Sequence, residues 1–177
     1  MSYLRRFVWF AAKKLVLWTV ALGVLVCAFF MCMNTSNVYI VLTDGLENRV
    51  NVILTGGDAY PLTTWFHPDF LANDPALIGA VEGRSIYSDY NIRNYDYELK
   101  VSSIWAWPWD RYASCTVTET VTDIDGSVKV SRADEVKGPV PQWQSGRFNV
   151  TLVREANKWK IIGMQQTAVI AQPQGGA

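Results

Sequence analysis

Tyr95-Asp-Tyr-Glu-Leu-Lys-Val-Ser-Ser-Ile-Trp-Ala-Trp107 decides how the second half of this chain folds. Tyr95, Tyr97, Leu99, Val101, Ser103, Trp105 and Trp107 recur at every second position, with Asp96, Glu98 and Lys100 between them. A period of two belongs to a strand with one buried face, so the stretch predicts a long strand whose charges point to solvent. Downstream, Ala113, Cys115, Val117, Glu119 and Val121 alternate with Ser114, Thr116, Thr118 and Thr120. This second strand is expected to end at Asp125-Gly126, a two-residue hairpin signal, and to return through Val128-Lys129-Val130. Phe148, Val150 and Leu152 make another strand, and Ala156-Asn157-Lys158 turns it back into Trp159–Met164. The pattern predicts an antiparallel meander of four or five strands.

Upstream the period changes. Val38, Leu42, Leu46, Val50 and Ile53 recur every three or four residues, which places one apolar stripe on a helix from about Val38 to Leu54, stopped by Gly56-Gly57. Leu62–Phe66 reads as a short helical turn, and Pro68-Asp69-Phe70-Leu71 and Asp74-Pro75-Ala76-Leu77 as proline-started turns. Gly79 and Gly83 punctuate the exit. Helices followed by a sheet give an α+β class.

Farther upstream, Leu15 to Met33 is a run of nineteen residues without a charge. At about 1.5 Å per residue it extends ~28 Å, close to the hydrocarbon thickness of a bilayer. Arg5, Arg6, Lys13 and Lys14 precede it and the first charge after it is Asp44. The positive-inside bias therefore predicts a single-pass protein of the plasma membrane, N-terminus cytoplasmic and C-terminal domain extracytoplasmic. The expected organisation is a basic, amphipathic flank at 1–14, a transmembrane helix at 15–33, a short hinge at 34–37 in which Ser36 or Asn37 caps the next helix, an α+β domain at 38–165 and a flexible tail at 166–177. A cleaved signal peptide is the competing reading. Its small-x-small triplet, Ala21-Leu22-Gly23, falls in the middle of the run, and cutting there would leave Val24–Met33 as an apolar terminus. Cys27 and Cys32 follow Val26 and Met31 rather than a small residue, so they read as embedded apolar side chains, not lipidation sites.

All sixteen acidic residues and only twelve of the sixteen basic ones lie beyond the run, so the exported part carries a net charge near −4. A mildly acidic domain is a poor binder of phosphate backbones, so no nucleic-acid partner is expected. Cys115 is the one cysteine after Met33, which excludes an internal disulfide there and leaves stability to burial. One histidine and one exported cysteine do not make a tetrahedral metal site, no glycine-rich phosphate loop is present, and no cofactor is expected. Asn34-Thr-Ser and Asn149-Val-Thr fit the glycosylation pattern but abut the apolar run and lie in a strand, so both read as chance matches.

Helices before a curved antiparallel sheet, with a final hairpin of the form Arg147-Phe-x-Val-x-Leu-Val-Arg154 then Asn157-Lys-Trp-Lys-Ile161 and the phrase Phe66-His67-Pro68-Asp69-Phe70-Leu71, resemble the superfamily of nuclear transport factor two and ketosteroid isomerase. The resemblance covers about residues 37 to 165 and implies a cone-shaped domain of helices packed on the sheet. It implies little about function, because that superfold hosts enzymes, carriers and oligomerisation modules. In layout, an anchor followed by one such domain is similar to the assembly factors of type IV secretion and to sporulation-channel proteins. The Asn-Pro-x-Gly turn associated with the secretion factors is absent here.

Enzymes of the superfamily work from a pocket inside the cone, with a carboxylate or histidine base and a polar group for the oxyanion. His67 is the only histidine and lies beside Pro68, so a helix-terminus or surface role is expected of it. Glu119 shares a face with Cys115 and Val117. It is a base with a raised pKa if that face lines the interior, or a solvent-exposed residue if the strand bulges there, and the exposed placement is expected. Trp105-Ala-Trp107-Pro-Trp109 is the densest aromatic feature. Trp105 and Trp107 are expected in the core, the alternative being a ligand platform, with Pro108 at the strand end or an edge and Trp109 at the rim, where with Trp143 of the proline-flanked loop it would anchor a protein contact. Two functions follow as expectations. The first is a non-enzymatic, membrane-anchored module that packs against a copy of itself or another envelope protein, and the second a small-ligand or enzymatic cone with Glu119, Tyr97 and Trp105 facing inward.

Overall fold

The computed structural model describes residues 2–170. Helix α1 runs without interruption from Ser2 to Thr55. No hinge interrupts it at 34–37 and neither Ser36 nor Asn37 acts as a cap. Asn-Thr-Ser-Asn contains no glycine or proline, each residue costs a few tenths of a kcal/mol in a helix, and helix-forming stretches on both sides carry it through. The last turns of α1 present the expected stripe: Val38, Leu42, Leu46 and Val50 are fully buried and Ile53 nearly so. Gly56, at φ +67°, takes the left-handed conformation that ends the helix.

A 3-10 turn (Tyr60–Thr64) and two short helices follow, α2 (Pro68–Asn73) and α3 (Pro75–Val81). Each of the two helices has proline at its first position and a side-chain cap before it: His67 Nδ1 accepts from the Asp69 amide, and Asp74 Oδ1 from the Ala76 amide. Phe66 and Phe70 stack at 5.1 Å, and the segment hydrogen-bonds to the outer strand through Ile161 N to Trp65 O and His67 N to Ile161 O, both 2.8 Å. Gly45 allows this docking, because a Cβ there would stand 3.0 Å from Trp65 Cβ.

The sheet has four strands in sequence order, all antiparallel: β1 (Tyr90–Trp105), β2 (Tyr112–Val128), β3 (Gly146–Glu155) and β4 (Lys158–Val169). Register shifts at Ile92/Asn94, Asn94/Asp96 and Val101/Ser103 in β1, and at Arg147/Phe148 and Thr151/Leu152 between β3 and β4, curve it around the helical layer. The inner face of β2 contributes Ala113, Cys115, Val117 and Val121 to the core, where they meet Val150, Leu152, Trp159 and Ile161 and the stripe of α1.

Three strand-level expectations are corrected. Asp125-Gly126 is not a hairpin: β2 continues through it to Val128, paired with Tyr90–Asn94, and Gly126 lies so close to β1 that a Cβ would sit 2.9 Å from the Asn91 carbonyl oxygen. The chain leaves the sheet only afterwards, through a 3-10 turn at Val130–Arg132. The tail expected from 166 is strand there, since Gln166, Ala168 and Val169 pair with Phe148, Arg147 and Gly146. Residues 171–177 lie outside the described residues. Finally, Trp105 and Trp107 are not in the core. The shift between Val101 and Ser103 inserts one residue and turns the end of β1 over, so that Ile104 faces inward and Trp105 outward.

Candidate functional site

Two groups of residues carry chemistry beyond ordinary packing. The first is interior. Glu119 is 1% exposed, and no bulge occurs in β2 at that position, so the expected solvent-facing placement is overturned. Its Oε1 accepts from the indole Nε1 of Trp143 at 3.1 Å. Trp143, held in the loop before β3, lies against Tyr87 with ring centroids 6.2 Å apart. In the register of β1 and β2, Tyr97 is opposite Val121 and Glu119 opposite Leu99, so Tyr97 and Glu119 are diagonal neighbours on one face, within reach of long side chains. Among the described residues, the Tyr97 hydroxyl and Glu119 Oε2 are buried without a hydrogen-bond partner.

Burial raises the Glu119 carboxyl above its ordinary value and Asp74 pushes the same way, while the Arg49 charge and the Trp143 hydrogen bond oppose the rise. The Tyr97 phenol is driven well above its usual range, first by burial and then by Glu119 and Glu47. Arg49 and Asp74 form an ion pair on the helical side. Arg49 Nε donates to Asp74 Oδ2 at 2.7 Å and Nη2 to Oδ1 at 3.2 Å, with little of either side chain exposed. The signals for this pair were the Asp74-Pro75 cap and the lone charge beside Val50. Spacing alone does not place residues 49 and 74 together.

His67 stands apart from this group. Its Nδ1 serves the α2 cap and its Nε2 lies 3.5 Å from Glu155, which is the helix-terminus role expected of it and leaves it sharing no partner with Glu119. Chemically the interior is a carboxyl and a phenol under an indole lid. It offers one proton donor and one proton-accepting group, with the buried Cys115 thiol on the same face of β2, and among the described residues no group of three or more His, Cys, Asp or Glu could hold a metal ion.

The second group is at the end of β1 and in its connection to β2. Trp105 and Trp107 stack face to face, with ring centroids 6.1 Å apart and planes 4° from parallel, and Trp109 meets Trp107 edge-on at 5.9 Å. They are 65%, 40% and 68% exposed. Their turn is fixed by Arg154, which donates to the carbonyls of Pro108 and Asp110 at 2.9 and 3.0 Å and lies over the Trp159 ring. Trp143, grouped with them in the sequence, belongs instead to the interior.

Among the described residues, α1 is the one helix long and apolar enough to cross a membrane, and its apolar window is not covered by any other part of the protein. No family, no curated protein and no solved structure matches this chain.

Proposed function

We propose that this chain is a non-enzymatic module mounted on the plasma membrane, its N-terminus cytoplasmic and its α+β domain extracytoplasmic, and that it works by associating with a second copy of itself. The observation that carries this reading is the single helix from Ser2 to Thr55, in which the apolar run and the buried stripe of the domain are one continuous element. A domain mounted without a linker holds a fixed face toward its neighbours, as an assembly component requires. The likeness to the cone superfamily and to membrane-tethered assembly factors supports the same reading, as does an interior closed over by Trp143.

The outer face of the sheet is the surface proposed for that contact. Thr116, Thr118 and Thr120 on β2 and Asn149 and Thr151 on β3 occupy its centre, while Glu98, Lys100 and Arg147 lie around them. Uncharged residues at the centre with charges outside them match the depletion of charge at interface cores. With Cys27 and Cys32 replaced by alanine, an Asn149→Cys chain treated with a short bis-maleimide in intact membranes should give a covalent dimer. A chain that stays monomeric and captures no neighbour would remove the reading.

A second reading, a small-ligand or enzymatic interior, is favoured by the two orphaned polar atoms of Tyr97 and Glu119, since buried groups of that kind ordinarily find partners. Native mass spectrometry of the protein purified from its own membranes should then show a small molecule that Glu119→Gln loses; identical spectra for the two chains would count against it.

A further inference from the structure

The tryptophan turn is close to the apolar segment of α1. Asn34 Nδ2 reaches the Trp107 carbonyl oxygen at 3.5 Å, which puts the turn beside the first residue after the apolar run. A cavity of about 350 Å³ separates the two elements, walled by Phe30, Met33 and Asn37 on the helix and by Pro108, Trp109 and Trp159 on the sheet. Phe30 and Met33 are themselves in the run, and Phe30 lies ~6 Å deeper along the helix than Asn34 at the α-helical rise. Three exposed indoles therefore stand at the height where the run ends.

We infer that Trp105, Trp107 and Trp109 are seated in the headgroup zone of the bilayer that α1 crosses, so that the domain meets the membrane at a second point. The inference rests on the anchored reading proposed above. Indole rings concentrate at the membrane–water boundary because their large apolar faces leave water while the N–H stays hydrated, and no charged side chain lies between Trp105 and Trp109 to resist that placement. The arrangement of Arg154 fits as well. Its guanidinium satisfies the Pro108 and Asp110 carbonyls that would otherwise enter a region poor in water. This occupant also explains why the end of β1 turns outward: a Trp105 directed inward would be unavailable to the lipid. Attraction rests on aromatic burial rather than on charge, so a zwitterionic bilayer suffices. A protein partner on the same rings is the alternative occupant.

Spin labels on the full chain in phosphatidylcholine nanodiscs test this. Trp109→Cys and, separately, Trp105→Cys are labelled with Cys27 and Cys32 replaced by alanine; a label on native Cys27, with Cys32 replaced, reports the span, and Val130→Cys reports the far end of the domain. Lipid seating predicts that labels at 109 and 105 collide with oxygen severalfold more than with a water-soluble nickel chelate, as the label at 27 does, and that the label at 130 shows the reverse. Labels at 109 and 105 that behave like the one at 130, while Cys27 is lipid-exposed, overturn the inference and leave the anchor standing. A water-exposed label at Cys27 overturns both. A measurement on the native side chains guards against local misfolding of the cysteine variants. Lipids carrying a nitroxide near the headgroup should quench a larger fraction of the tryptophan emission of the unlabelled wild-type chain than of the folded Trp105→Phe/Trp107→Phe/Trp109→Tyr chain, which lacks the three indoles; an equal or smaller fraction in wild type overturns the placement.

Discussion

Glu119 shows how one position on a strand acquires a distinctive environment. The alternation of β2 assigns it to the face of Cys115 and Val117, and the unbroken register leaves it under Trp143. Because burial lifts its pKa in the folded state, its protonated form favours folding. The stability this provides is complete below the unfolded pKa of about 4.3 and is lost as pH rises through the folded value. Glu119→Gln should therefore gain in stability relative to wild type as pH rises from about 4 toward 7. Chemical denaturation of the two chains across that range measures it. Asp74 has two duties, as the partner of Arg49 and as the cap of α3. Asp74→Ala leaves Arg49 buried without its countercharge and should cost about 3–5 kcal/mol, whereas Asp74→Asn retains the cap and should cost less. Denaturant midpoints of both variants check the order. The cap was legible from Asp-Pro; the ion pair was not, because residues 49 and 74 meet only after α3 folds back onto α1.

At the scale of elements, helix α1 and the end of β1 are where local pattern and structure part. Reading a hinge into Asn34-Thr-Ser-Asn37 took polarity for a break, yet nothing in those four residues removes a backbone hydrogen bond. Ser36→Pro would remove one and clash with the preceding turn, at a cost of about 3 kcal/mol in a helix interior. Spin labels at Leu22 and Asn51, ~44 Å apart in a straight helix, should show a narrow distance distribution in wild type and a broadened or shorter one in Ser36→Pro. In β1, the alternation from Tyr95 to Val101 holds and then inverts at one inserted residue. Deleting Ser103 should remove the extra residue and leave a regular ladder with Ile104 still inward and Trp105 outward, whereas inserting one residue after Ser103 should drive Trp105 inward and expose Ile104. Loss of cooperative thermal unfolding in the insertion chain, with the deletion chain still cooperative, would record the misfit, since one step of register reverses a whole face. At Asp125-Gly126, likewise, the glycine serves the close approach of Asn91 rather than a turn.

For the molecule as a whole, the buried residues begin at Val38 and the apolar run ends at Met33, so the domain's core is complete without the run. A chain starting at Asn34 should fold with a cooperative transition and the same sheet signature in circular dichroism. Its three exposed tryptophans should make it associate reversibly at high concentration, and sedimentation of that chain beside its Trp105→Ser/Trp107→Ser/Trp109→Ser variant measures how much of the association they cause.

The sequence by itself determined the class and order of elements. Period 3.6 over Val38–Ile53, period two over Tyr95–Val101 and Ala113–Val121, the Asp-Pro and His-Pro helix starts, and the charge-free run are each written in neighbouring residues. Only the tertiary structure decided that α1 is one piece, that Glu119 is enclosed with Tyr97 while His67 is not, and that the tryptophans leave the core to stand beside Asn34. Those outcomes depend on a single inserted residue in β1 and on contacts between segments far apart in the chain. Local periodicity cannot encode them, because a one-residue shift reverses a strand's faces while leaving its composition unchanged.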